Sequence, residues 1–358
     1  MTLNTIAILN NHDQLYHLAA FLISAVVVLI STPIVRRVGL SQGQVDLPND
    51  RKMHERPMVR LGGISIFLGV LVALLTIWWS GGFSILPPAK EYEIWGVTVG
   101  GLLFFLIGLA DDFFNLAPLT RLAMQFVVAG GAWYVGVQIT FINVPFEGMV
   151  PLPFPISALV TMVWLVGMAN AINWIDGLDG LAAGVCGIAA VVMLIVSLFV
   201  QQPDAALIVA ALAGGCLGFL RNNFNPAQIF MGDGGAYYLG FTLAGVGVIG
   251  VLKGVTTVAV LLPVLILAVP IFDMSAVIID RLRSGKSPFV ADKRHLHHRL
   301  LQAGLSHRST VLFIYLLTIW VGSLALAIAR VPSGIIYASA ATALLCYGCW
   351  RVRQVARQ

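Results

Sequence analysis

Long apolar runs separated by short polar breaks fill almost the whole chain. Crossing a bilayer as a helix takes about 20 mostly apolar residues, and eleven stretches approach that length. They fall near 15–35, 61–80, 94–110, 121–137, 156–174, 178–200, 205–220, 235–251, 255–280, 309–329 and 334–350. The pattern predicts an all-α, polytopic integral membrane helix bundle of about 11 transmembrane helices. With no internal repeat and no low-complexity linker, residues 1–358 form one domain. An odd number of spans puts the termini on opposite sides. Loops rich in Lys and Arg face the cytoplasm. If the loop after the first span is cytoplasmic, all of the 21 Lys and Arg except Lys90, Lys253 and Arg330 lie on that side. The expectation is an exoplasmic N-terminus and a cytoplasmic C-terminus.

Composition agrees with this picture. Hydrophobic residues make up 59% of the chain and charged ones only 10%, with a mean hydropathy of +0.91. A soluble domain carries roughly a quarter charged residues. The net charge of +5 is explained by the basic cytoplasmic loops, so no nucleic-acid partner is expected. The first apolar run ends at Arg36-Arg37 without a small-residue cleavage site and reads as a retained span. Cys186, Cys216, Cys346 and Cys349 lie inside apolar runs and read as packing residues. Pairs such as Gly96/Gly100, Gly180/Gly184 and Gly214/Gly218 allow close helix approach.

The polar residues change the picture from a bundle to an enzyme. Their loops are 36–60, 111–121, 173–180, 221–235 and 281–308, all on the predicted cytoplasmic face. Of the 16 acidic residues, Asp111, Asp112, Asp176, Asp179 and Asp233 sit at helix ends without an adjacent Lys or Arg. A solvated helix end is the plain alternative for any one of them. Five on one face favour a role, because a carboxylate at a membrane boundary is costly unless paired, hydrated or metal-bound.

Asp111-Asp112-Phe-Phe-Asn115, with Arg121 beyond, offers two repelling carboxylates suited to a cation or a proton. Asn170-Ala-Ile-Asn173-Trp-Ile-Asp176-Gly-Leu-Asp179-Gly180 is dense in the oxygen donors that hard cations take. Arg221-Asn-Asn223 leads to Phe230-Met-Gly-Asp233-Gly-Gly, a glycine-rich helix start where a carboxylate makes sense beside a cation that binds phosphate. Phe230 either stacks on a base or anchors the loop. Arg294-His295-Leu-His297-His298-Arg299 suits an anionic, hydroxyl-rich ligand better than zinc, since cations flank it. The loop from Asp46 through Lys52 to Arg60 either reflects charge bias alone or supplies cations for a phosphate near the membrane surface. Asp273, inside the ninth span, either lines the cavity mouth or caps a kink after Pro270.

Together these motifs suit phosphoryl transfer, in which positioning and charge neutralisation supply most of the catalysis. They also resemble, in order and spacing, the polyprenyl-phosphate N-acetylhexosamine-1-phosphate transferases of glycosyltransferase family 4. The Asp46-x-Pro-Asn-x-Arg-Lys52-x-His run and the His-x-His-His element resemble the branch that uses UDP-N-acetylglucosamine. The branch loading UDP-N-acetylmuramoyl-pentapeptide has a different histidine run.

The resemblance implies a multi-pass enzyme of a bacterial-type plasma membrane. It would transfer N-acetylglucosamine 1-phosphate from its UDP form to undecaprenyl phosphate and release UMP, with Mg²⁺ or Mn²⁺ present. By the same match Asn173 and Asp233 hold the metal. Asp111 and Asp112 position or deprotonate the lipid phosphate, with Asp176 and Asp179 beside them in the catalytic set. Arg121 meets the pyrophosphate, Asn223 and Phe230 the uridine, and Arg294, His295, His297, His298 and Arg299 the sugar phosphate. Asp46, Lys52 and Asn115 complete the substrate-facing set, although some members carry Asp where Asn115 stands. The partners are a UDP-N-acetylhexosamine and a polyprenyl phosphate; a homodimer is also allowed. A transporter of an anionic solute is the rival from another class. It would need polar groups near the bilayer midplane, and here they crowd one face.

Overall fold

The computed structural model of the chain describes residues 11–46, 57–83, 88–144, 148–250, 261–285 and 294–355. A helix lies in each of the eleven apolar stretches. They are α1 (Asn11–Ser41), α2 (Gly62–Trp79), α3 (Pro88–Phe114), α4 (Pro118–Tyr134), α5 (Phe154–Ile175), α6 (Leu181–Phe199), α7 (Pro203–Asn223) and α8 (Gly232–Ile249). The ninth stretch holds two helices, α9 (Leu261–Ile266) and α10 (Ala268–Arg283). Beyond them lie α11 (Leu296–Gln302), α12 (His307–Ile328) and α13 (Gly334–Val355). Among the described residues, eight helices (α1, α2, α3, α5, α6, α7, α12 and α13) are long and apolar enough to cross a membrane.

Local chemistry explains the boundaries. Proline in the first turn starts α4, α5 and α7, where its missing N–H would be unpaired anyway. Gly180, with φ of +79°, turns the chain into α6. The break between α9 and α10 falls at Leu267, between Pro263 and Pro270. Two elements depart from the apolar-run reading. One is an antiparallel hairpin, β1 (Phe141–Val144) on β2 (Gly148–Pro151), so the fold is not purely helical. The other is α11, a short helix within a polar loop. Neither has the length that makes a periodic signal visible.

The interior belongs to α7 and α8, whose residues are buried almost all round, as expected of helices apolar on every face. α3 and α5 pack along α8, while α1, α2 and α6 pack along α7. α4 lies outside α3 and α5, and α13 packs mainly along α12. Small residues permit the close crossings. Gly214 and Gly218 of α7 face the backbone of α1 at Phe21 and Ala25, and Gly240 of α8 lies against Met168 and Ala169 of α5. At the opposite end of α3 from Asp111 and Asp112, the Lys90 ammonium meets buried Asp204 of α7 (3.1 Å), Gln202 (2.8 Å) and Glu93 (3.4 Å).

Candidate active site

Three helix ends and one extended segment meet where α8 begins. The extended segment is Val59–Arg60, which leads through Leu61 into the first turn of α2. The Phe230 N–H donates to the Val59 carbonyl (2.8 Å), and the Gly62 and Gly63 N–H groups donate to Phe230 (2.9 Å) and Met231 (2.8 Å). Gly232, with φ of +77°, passes so close to the Arg60 carbonyl that a β-carbon there would collide with it. The chain then turns into α8, whose second residue is Asp233.

The end of α3 is bound to this turn by charge. Asp112 accepts the Asp233 N–H (Oδ1, 3.1 Å) and the Gly234 N–H (Oδ2, 3.1 Å), so a carboxylate faces the positive end of the α8 dipole. One turn earlier, Gly108 lies against the Asp233 backbone with no room for a side chain. The end of α5 supplies Asn173, whose Nδ2 donates to Asp233 Oδ1 (2.8 Å). Sequence positions 112, 173 and 233 thus converge.

Two arginines balance these acids. Arg60 lies 3.5 Å from Asp233 and 3.8 Å from Asp112. Arg121, in the first turn of α4, pairs with Asp111 and stands 3.9 Å from Asp233. Asp111 is 5% exposed and also accepts the Leu116 N–H (2.8 Å). Asp176, just past α5, is half-buried beside the same group. Burial, reinforced by the Asp233 carboxylate and opposed by Arg60, pushes its carboxyl up to about 7.

Other predicted residues hold loops together. Asp179 accepts from Asn225 Nδ2 and the Ala227 N–H, both at 3.0 Å. Asn223, 3% exposed, accepts the Gly180 N–H (3.1 Å) and donates to the Ile229 carbonyl (2.9 Å). Both ends of its amide therefore join the 176–180 turn to the 223–230 turn. Phe230 is half-buried, with its backbone tied to Val59. Asn115 is exposed and ends α3 in the left-handed region at φ +49°, where Asn is tolerated better than most residues. Asp46 pairs through its backbone with Met58 (2.7 and 3.0 Å). Lys52 lies outside the described residues.

The histidines stand at α11 and lean toward α5. His295 meets Trp174 edge-on (ring centroids 5.9 Å), and His297 lies 4.2 Å from His298. Trp174 follows Asn173 directly and carries the Arg281 guanidinium 5.0 Å from its ring centre. His297 is 2% exposed, sits against Gly177, and has an Nε2 without a hydrogen-bond partner among the described residues. Burial, followed by its histidine neighbours, pushes it down to about 3. Arg294 pairs with Asp280 (2.7 Å), and its carbonyl accepts from Nε of exposed Arg299 (2.8 Å).

Arg60 and Asp273 are the site residues whose placement the sequence reading left open. Arg60 stands immediately before Leu61-Gly62-Gly63, and small residues after a loop cation signal close backbone approach. Asp273 is a carboxylate within an apolar run, a functional candidate by default.

Among the described residues, no three His, Cys, Asp or Glu side chains form a ready metal cage. Asp233 offers carboxylate oxygens, and Asn173, which touches it through its amide nitrogen, carries an amide oxygen as well, so together they could make a sparse oxygen set. Mg²⁺ is held by such sets when substrate phosphates and water complete its octahedron.

A family model described as glycosyl transferase family 4 matches residues 94–251. A probable undecaprenyl-phosphate N-acetylglucosaminyl 1-phosphate transferase of Bacillus subtilis is 38% identical over 304 residues, covering 83% of this chain and 81% of that one. This chain belongs to glycosyl transferase family 4. A decaprenyl-phosphate N-acetylglucosaminephosphotransferase of Mycolicibacterium smegmatis is 36% identical over 330 residues, covering 85% and 79% of the two chains. An undecaprenyl-phosphate alpha-N-acetylglucosaminyl 1-phosphate transferase of Pasteurella multocida is 32% identical over 307 residues, covering 83% and 81%. The family 4 match spans Asp111, Asp112, Asn173, Asp176 and Asp233, with Arg60 and the histidines lying on either side of it.

Proposed function

We propose that this family 4 protein transfers N-acetylglucosamine 1-phosphate from UDP-N-acetylglucosamine to undecaprenyl phosphate, releasing UMP, as the first step of a cell-envelope glycan. A phosphate oxygen of the lipid attacks the β-phosphorus. The bond from that phosphorus to the oxygen bridging it to the α-phosphorus breaks, and UMP leaves with that oxygen. The carrying observation is the convergence of Asp112, Asn173 and Asp233 under Arg60 and Arg121.

Each residue has a task in this reading. Arg60 and Arg121 neutralise phosphate charge on either side of the acids, and such preorganised cations act on charge that develops during the reaction. Asp112 fixes the start of α8 and so the direction of Asp233. Asp111, held by Arg121, stands where an acceptor phosphate would be oriented. Asp176, with its carboxyl near 7, is suited to hold or release a proton at neutral pH. The histidines beside Trp174 face the sugar end of the donor. Asn173 and Asp233 would hold Mg²⁺, which supplies charge neutralisation of the pyrophosphate.

The bundle has eleven spans in the bacterial plasma membrane, with the N-terminus outside and this site in the cytoplasm. The basic residues of the loops carrying the site support that orientation.

UMP release by purified protein, supplied with undecaprenyl phosphate, Mg²⁺ and a panel of UDP-sugars, tests the reading. UDP-N-acetylglucosamine is the expected donor, and Asp233→Ala should lower turnover by at least about a hundredfold. Wild-type turnover by that variant would remove Asp233 from the mechanism. An intact protein releasing no UMP from any UDP-sugar would overturn the function.

A further inference from the structure

The transfer step proposed for Asp112, Asn173 and Asp233 gives Asp273 no role. It lies in α10, is 8% exposed, and spends both carboxylate oxygens on the start of α11. Oδ1 accepts the Leu296 N–H at 2.6 Å, and Oδ2 faces His295 Nδ1 at 2.8 Å. An ionised carboxylate only accepts hydrogen bonds, so Nδ1 of His295 carries the hydrogen. In the neutral ring this leaves the lone pair on Nε2. The ring is also confined from the α5 side, where Trp174 meets it edge-on beside Asn173. Asn173 in turn donates to Asp233. His295 is therefore linked to the α5 end that holds the phosphate site.

We propose that Asp273 is a positioning residue for the transfer: it fixes the place and tautomer of His295, so that Nε2 serves as acceptor for a hydroxyl or amide N–H of the donor sugar. The idea rests on the reading of the protein as a UDP-sugar transferase. The pairing of a buried carboxylate with one ring nitrogen is a recurrent way of defining what the other nitrogen does. Here the same carboxylate also holds the adjacent backbone N–H, so ring and chain cannot shift separately. Asp273→Asn puts an Nδ2 donor where one of the two accepting oxygens stood, so either the Leu296 N–H or the His295 Nδ1–H then faces a donor instead of an acceptor.

The test is steady-state kinetics of the full-length protein with UDP-N-acetylglucosamine and undecaprenyl phosphate. Asp273→Asn is expected to raise KM for the nucleotide sugar about tenfold, the size of one lost hydrogen bond, and to leave KM for the lipid phosphate unchanged. His295→Asn should do the same, and the double variant should be no worse than either single one. Asp273→Glu, which keeps two accepting oxygens, should recover part of the loss. If Asp273→Asn does not fold, as judged by its thermal transition, the Glu variant carries the same cycle with His295→Asn.

Losses that multiply in the double variant would overturn the proposal, as would equal loss toward both substrates or wild-type kinetics in Asp273→Asn. A wild-type protein inactive with every UDP-sugar would overturn the parent reading, and this one with it. An active wild type with an indifferent Asp273 would overturn this one alone.

Discussion

Asp112 and Asp233 are like charges held together, and the site manages this with backbone N–H groups on one side and arginines on the other. His297 solves the opposite problem by staying neutral. An unfolded histidine titrates near 6.5, whereas the buried ring titrates near 3. Its contribution to stability is therefore complete above about 6.5 and is lost as pH falls from there toward 3. Acidification to pH 5 should weaken the hold on α11 by about 2 kcal/mol. Hydrogen exchange over residues 294–302 checks this: protection should drop between pH 7 and pH 5, and His297→Phe should flatten the change. Much of this was legible beforehand, since the polar motifs named nearly every side chain in the cluster. Their division of labour was not. Nothing in the spelling of Asn223 says that both ends of its amide close a loop, because that depends on partners 43 and 6 residues away.

At the level of elements, the site depends on how closely α2, α3 and α5 approach the start of α8. Gly63 meets Gly235, Gly108 meets the Asp233 backbone, and Gly240 meets Ala169. In each case the obstacle to a side chain is backbone, which cannot swing aside. Gly108→Val should cost about 1–3 kcal/mol through overpacking. It should also push Asp112 away from the N–H groups it caps, lowering UMP turnover at least tenfold. A thermal melt and the turnover assay read the two effects separately, and a variant with both unchanged would refute the argument. Apolar run length revealed the long helices because it is a local property. The hairpin at 141–151 and the division of the ninth stretch escaped it. Four-residue strands carry too little alternation to register, and two prolines in one apolar run kink a helix as readily as they split it.

For the whole molecule, the distribution of charge makes a prediction about sidedness. A reporter active only outside the cytoplasm should work when fused to the N-terminus and fail at the C-terminus. A protease added to sealed inside-out vesicles should reach residues 281–308. Opposite results would place the phosphate site on the wrong side for a cytoplasmic nucleotide sugar. The same bundle also controls geometry over distance. α3 runs for 27 residues, roughly 40 Å. One end carries Asp111 and Asp112 of the acid cluster, and the other is clasped through Lys90 to the start of α7. Because a helix barely compresses, that clasp works as a depth stop. It sets how far the rod can slide along its axis, and so whether Asp112 stops level with the α8 turn or overshoots it. The alignment of the acid cluster at one end of the rod is thus gauged from the other end.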